Sequence, residues 1–324
     1  MKNKVFAAVM FVVALMLPAL AGCADPGTGK QPTSGAGAQE ISPNPVSEAD
    51  KAEPIRTQLN AQAQDLLPAA IKTRGTLVVG NAPGTAPLSF YAADNKTVVG
   101  SDPAFAQLLA DALGLKLVLQ PTSWADWPLG VSSGKYDVVL SNVTVTEERK
   151  ERFDFSSYRN DTLGFYARSD NSLTKINGPA DVAGKKIIVG TGTNQEKILL
   201  NWDAQNKAKG LPAIEFQYYD DDSASELALQ SGRADLTFGP NATGAYKAAV
   251  TRKTKLLGLV PGGWPVTAEI AVTSKKGAGL VDATTAALNG LIKDGSYQKV
   301  LERWGLSSEA ITASRSNPPG LPKS

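Results

Sequence analysis

Short apolar runs, rich in valine, leucine and isoleucine, alternate along this chain with longer stretches whose apolar positions recur at helical spacing. Gly75-Thr-Leu-Val-Val-Gly80 opens the folded body as a strand. A helix is predicted over 102–113, with Phe105, Leu108, Leu109 and Leu113 on one face, Pro103 in its first turn and Gly114 as its stop. A strand over 115–119, a short helix over 124–131 and a buried strand at Val138-Val-Leu140 follow. A second set starts at Gly184-Lys-Lys-Ile-Ile-Val-Gly190 and continues with helices over 195–202, 224–230 and 242–249 and strands over 214–219, 234–238 and 256–260. Extended segments over 163–168 and 269–273 separate the sets, and helices over 281–292 and 297–304 close the pattern. Strands alternating with helices predict an α/β protein with mostly parallel sheets. Two such sets joined by two crossovers put a ligand cleft between two lobes.

The flanks read differently. Met-Lys-Asn-Lys, an apolar run from Val5 to Leu17 and then small residues form a signal-peptide order over residues 1–22, with a run too short for a comfortable membrane span. Leu20-Ala-Gly-Cys23 resembles a bacterial lipobox, which predicts cleavage before Cys23, lipid on that cysteine and a membrane anchor. Residues 23–54 are rich in Pro, Gly, Ser, Ala and Gln, the composition of a flexible leash. Ile55, Leu59, Leu66, Leu67 and Ile71 predict one amphipathic helix over 55–73, and residues 311–324 read as a tail.

Composition narrows the chemistry. Without Lys2 and Lys4 the chain carries as many basic as acidic residues, 31 of each, and no basic face, which argues against nucleic acid. There is no histidine, so His-based triads, bases and metal ligands are excluded. The sole cysteine offers neither an intrachain disulfide nor a thiolate cluster, and no cofactor is expected.

The most informative stretch runs from Ser141 to Ser156. A buried strand there empties into hydroxyls and amides and is followed by Arg149, which suits an anion at the carboxyl end of an open sheet. A plain surface ion pair with Glu147, Glu148 or Glu151 is the alternative, although none of these lies at the helical pairing distance.

Pro121-Thr-Ser-Trp124, Ser133-Gly-Lys-Tyr-Asp137, Thr144-Val-Thr-Glu-Glu-Arg149, Phe153-Asp-Phe-Ser156, Gly184-Lys-Lys with Gly192-Thr193, Ser231-Gly-Arg-Ala-Asp235, and Asp294-Gly-Ser-Tyr297 through Trp304-Gly305 resemble, in order, the signatures of one family. It is the extracytoplasmic solute-binding proteins of polar amino acid ABC importers. The resemblance implies a type II periplasmic-binding-protein-like fold, with lobe one over 74–165 and 269–310, lobe two over 166–268, and two hinge crossovers. It also implies a monomer that closes on a ligand and docks on the importer's permease.

By position, Arg149 matches the arginine that holds a ligand carboxylate, a task its planar fork suits. Asn142 and Thr144 match ligand-contacting positions, and Trp124 one that packs on the ligand or serves as core. Thr193 and Asn194 open a lobe-two helix, where free N–H groups favour a second carboxylate contact or a simple cap. The family's acids are replaced: Ala82 stands after the first strand, and Pro240, beside Asn241, stands where an acid fixes the ligand ammonium. Either Glu269, Asp126 or one of Asp220 to Asp222 takes that role, or the ligand is not an ordinary α-amino acid. A dehydratase-type enzyme on this scaffold and a ligand sensor for a membrane partner are the competing functions.

Overall fold

The structure, a computed structural model, describes residues 53–219 and 221–323. The expected signal peptide, Cys23, most of the leash and Asp220 lie outside the described residues. The first lobe is built on β1 (Thr76–Asn81), which pairs in parallel with β4 (Lys116–Pro121) and β5 (Val138–Val139). A small hairpin of β2 (Phe90–Tyr91) and β3 (Val98–Val99) stands beside this sheet. One face of the sheet is covered by α3 (Ser101–Ala112), whose Phe105, Leu108 and Leu109 are fully buried as their spacing requires. The other carries α4 (Trp127–Ser133) and an aromatic cluster of Trp127, Tyr136, Phe153 and Phe155.

Ahead of β1, the single helix expected over 55–73 is two short ones, α1 (Ala61–Asp65) and α2 (Ala69–Arg74). Pro68 lacks the N–H that a continuous helix would need there, and it serves instead as the N-cap of α2. Ala63, Leu67 and Ile71 still reach the first core, so the amphipathic reading of this stretch survives in two pieces.

The crossovers are more continuous than the sequence suggests. β6 is one strand of 16 residues, Phe153–Arg168, where an extended segment was expected only over 163–168. Its first half pairs antiparallel with β11 (Ala268–Lys275) as far as Asp161, and from Thr162 its partner becomes β10 (Thr254–Pro261). The handover falls ahead of the boundary expected at residue 166, and Leu163 and Phe165 belong to the second core. The segment was hard to read because its middle is polar yet buried: Ser156, Ser157, Arg159 and Asp161 are each at most 5% exposed.

In the second lobe β7 (Lys186–Ile188) pairs in parallel with β8 (Glu215–Gln217) and β9 (Leu236–Pro240), and β9 joins β6. Helices α5 (Asn194–Ala208), α6 (Asp222–Gln230) and α7 (Asn241–Thr251) flank this sheet. Phe165 stacks on Phe238 at 4.1 Å and on Trp202 at 5.6 Å, which fixes the core. The chain returns through β11 to α8 (Val281–Asp294) and α9 (Ser296–Arg303) on the first lobe. The tail beyond 311 is no loose end: Ser316 bridges Ser156 and Leu321 bridges Thr146.

Candidate functional site

A cleft of about 510 Å³ opens where the strands of both lobes end. Lobe one contributes Ala82 and Thr85 after β1, Trp124 after β4, and Ser141 and Asn142 after β5. Lobe two contributes Thr193 and Asn194 at the start of α5, Pro240 at the end of β9, and the α6–α7 face.

Arg149 sits at the junction of the lobes. Its Nη1 donates to the Thr144 carbonyl at 2.8 Å and its Nη2 to the Gly192 carbonyl of the other lobe at 3.3 Å. The guanidinium also lies over the rings of Trp124 and Trp127, 5.5 and 5.9 Å from their centroids. Burial pushes its pKa down to about 10, against the opposing pull of Asp161 and Glu148. It therefore remains a cation at neutral pH, set behind Trp124 rather than among the side chains lining the cleft.

Thr144 and Asn194 come together from opposite lobes. The Thr144 hydroxyl lies 2.9 Å from both Asp161 Oδ2 and Asn194 Oδ1, and Asn194 Nδ2 donates to Asp161 at 3.1 Å and to the Gly262 carbonyl at 2.5 Å. Thr193 caps α5, accepting the Glu196 N–H at 3.2 Å. Asn142 adopts a left-handed φ of 51°, tolerable for asparagine, donates its N–H to Asp102 and accepts Arg159 Nη2 on its side chain.

Asn241 is placed elsewhere. Its Oδ1 accepts the Tyr166 hydroxyl at 2.7 Å, and its neighbour Pro240, not Asn241 itself, lines the cleft. Of the acids considered as substitutes, Glu269 pairs with Arg315 at 2.5 Å and Asp126 accepts from Ser123, and neither lines the cleft. Asp221 and Asp222 do line it, the first capping Ala224 and the second paired with Lys247 at 2.5 Å.

Sequence reasoning missed a buried charged group under the hinge. Arg159 forms a buried ion pair with Glu309, and Tyr158 donates its hydroxyl to Asp102 at 2.8 Å. Burial raises the pKa of Asp102 and Asp161, and Glu309 is pushed up to about 7 despite Arg159. For Arg159 burial acts downward, but Glu309, Asp102 and Asp161 together outweigh it and hold the group well into its charged form. The only sequence signal was charge inside a strand-like run, at Arg159 and Asp161.

Lobe two adds a recess beside Tyr166, to which Thr237, Thr243, Lys247 and Thr254 contribute. Gly244 leaves room for the Tyr166 ring, since a Cβ there would fall 2.1 Å from it. The hydroxyls of Thr243 and Thr254 are buried and have no partner among the described residues.

Known proteins resemble this chain in sequence and fold. The L-cystine-binding protein TcyJ of Escherichia coli (strain K12) is 33% identical over 236 residues, 72% of this chain and 84% of that protein. An ancestral arginine-binding protein bound to arginine superposes with a TM-score of 0.62 at 29% identity, covering 71% of this chain and 98% of that one. An ancestral amino acid-binding protein, a precursor of cyclohexadienyl dehydratase, gives 0.63 at 27% identity, covering 72% and 97%. Residues 77–307, spanning both lobes and the cleft between them, match one family throughout, and the chain belongs to the bacterial extracellular solute-binding proteins, family 3.

Proposed function

We propose that this chain captures a dipolar or cationic amino acid in the interlobe cleft and delivers it to the permease of an ABC importer. The observation that carries the reading is the meeting of Arg149, Thr144 and Asn194 at the lobe junction, where a lobe-one cation reaches a lobe-two carbonyl and a hydroxyl meets an amide across the same seam. Arg149 takes the ligand carboxylate, with N–H groups beyond the two already committed to carbonyls. Asn142 and Trp124 flank that end from lobe one, and Thr193 from lobe two. The lining acids Asp102, Asp221, Asp222 and Glu226 outnumber Lys247, which favours a ligand with an ammonium or guanidinium group. The names of the relatives, cystine- and arginine-binding proteins, agree with such a ligand. A monomer held at the membrane by lipid on Cys23 completes the reading.

Binding is favoured over dehydratase chemistry because the acid at the cleft floor is already committed. Asp102 accepts the Tyr158 hydroxyl on one oxygen and the Asn142 N–H on the other, which holds the carboxylate in place as an acceptor for a ligand cation rather than freeing it as a base. Calorimetric titration with L-arginine, L-cystine and succinate tests the proposal. Saturable binding of one of the amino acids is expected; binding of succinate alone would overturn it.

A further inference from the structure

The family match ends at residue 307, yet the chain beyond it packs against the strand and loop that frame the site. Glu309 turns its carboxylate under the hinge onto Arg159, with side-chain exposures of 3% and 2%. The chain then runs antiparallel to the first half of β6. Ser157 N donates to Arg315 O at 3.1 Å, Asn317 N to Phe155 O at 2.7 Å, and Phe155 N to Asn317 Oδ1 at 2.9 Å. Asn317 takes a left-handed φ of 46°, a conformation asparagine accepts more readily than most residues, and the chain turns toward the loop of Arg149.

That loop is gripped on both edges. On one side Val145 N donates to Glu269 O of β11 at 2.9 Å. On the other, Leu321 N donates to Val145 O at 3.0 Å, Glu147 N to Leu321 O at 2.8 Å, and Gly320 N to Glu147 Oε1 at 2.7 Å. Thr146, held between these bonds, receives the Arg149 N–H on its hydroxyl at 3.1 Å and the Lys150 N–H on its carbonyl at 3.0 Å. Leu321 also rests against Gly263 in the return crossover, where an added Cβ would fall 2.0 Å from its Cδ2.

We propose that residues 309–321 form a strap that positions Arg149 and the return crossover, so that the geometry of the binding site depends on chain outside the family module. Arg149 is reached from the strap through one residue, Thr146, whose backbone neighbours carry the strap's bonds. Losing them would leave Val145 O and Glu147 N unpaired on an open edge, and the loop would lose its register with β11. The inference rests on Arg149 as the ligand's carboxylate partner.

Gly320→Ala tests it. The new Cβ would fall 2.6 Å from Thr146 C and 2.7 Å from Glu147 N, backbone atoms that cannot swing aside, so the strap must lift. Leu321→Ala is the gentler second variant, removing the crossover contact without a clash. Hydrogen exchange is measured across residues 144–152 in the full chain, beside titration with L-arginine and L-cystine. Exchange in that loop should rise about tenfold while α3 and α5 keep their protection. Affinity for the probe that binds the parent chain should fall about tenfold, the scale of one well-placed hydrogen bond. Unchanged exchange in both variants overturns the strap, as does raised exchange with unchanged affinity. Should neither probe bind the parent chain, the amino-acid reading fails on its own, and the exchange result alone decides the strap.

Discussion

The two ends of the cleft are built on opposite plans. At the hinge end the charged groups are committed: the partly buried Arg149 to two carbonyls, the buried Asp161 to Thr144 and Asn194, and the buried Arg159 to Glu309 and Asn142. In the lobe-two recess the hydroxyls of Thr243 and Thr254 have no partner among the described residues, and the Asp222–Lys247 pair is partly open to solvent. A committed network is rigid and recognises one fixed chemical group, whereas uncommitted hydroxyls in a recess suit a group that varies. Under the proposed function, the hinge end reads the backbone part of an amino acid and the recess reads its side chain.

The contrast breaks most easily at Arg149. Replacing it with alanine should lower affinity for the bound amino acid by about a hundredfold or more, since charge-assisted bonds contribute roughly 1.5–3 kcal/mol each. Thermal unfolding run alongside should show the fold retained, and calorimetry giving parent-like affinity would remove the carboxylate assignment.

The committed end should also make the protein sensitive to pH. Glu309 keeps its proton up to about 7 when folded, against an ordinary value of 4.5. Between those values the folded chain holds a proton that the unfolded chain has released. The resulting stability is present at low pH and is lost as pH rises through about 7. Tm should fall from about pH 4.5 to pH 7, and Glu309→Gln should flatten that slope, leaving the contributions of Asp102 and Asp161, whose shifts have the same sign. Equal slopes in the two proteins would show that Glu309 does not titrate in this window.

The smallest effect belongs to the recess. Thr254→Val removes an unpartnered hydroxyl at almost constant shape, so Tm should hold or rise slightly. Affinity for L-arginine should fall about threefold to tenfold if that hydroxyl meets the ligand's side chain. An unchanged affinity would confine recognition to the hinge end.

Much of this was legible in the chain because local patterns carried it. The α3 helix shows in the spacing of Phe105, Leu108 and Leu109, and the Arg149 loop shows as a buried strand dissolving into small polar residues. The continuous β6 was not legible, since polar residues between two apolar runs look like a loop unless their partners are known. Those partners are remote: Glu309 follows Arg159 by 150 positions, and Asn317 follows Phe155 by 162. Counting along the motif brought Pro240 to the expected ammonium position with Asn241 beside it, but no count reveals that Tyr166 claims the Asn241 oxygen. The break at Pro68 was readable and was outweighed by the apolar spacing around it.

Lys197 on α5 reaches across to Glu148 at 2.5 Å, and both side chains are substantially exposed, at 42% and 62%. Beside it the Arg149–Gly192 bond is long, at 3.3 Å. Together they form a clasp whose outer half stands in solvent, where ions weaken it over a distance of about 10 Å at 0.1 M salt. Salt should therefore loosen the mouth without touching the buried charges at the hinge. Ionic strength would then speed the exchange of solute more than it alters how tightly the closed cleft holds one.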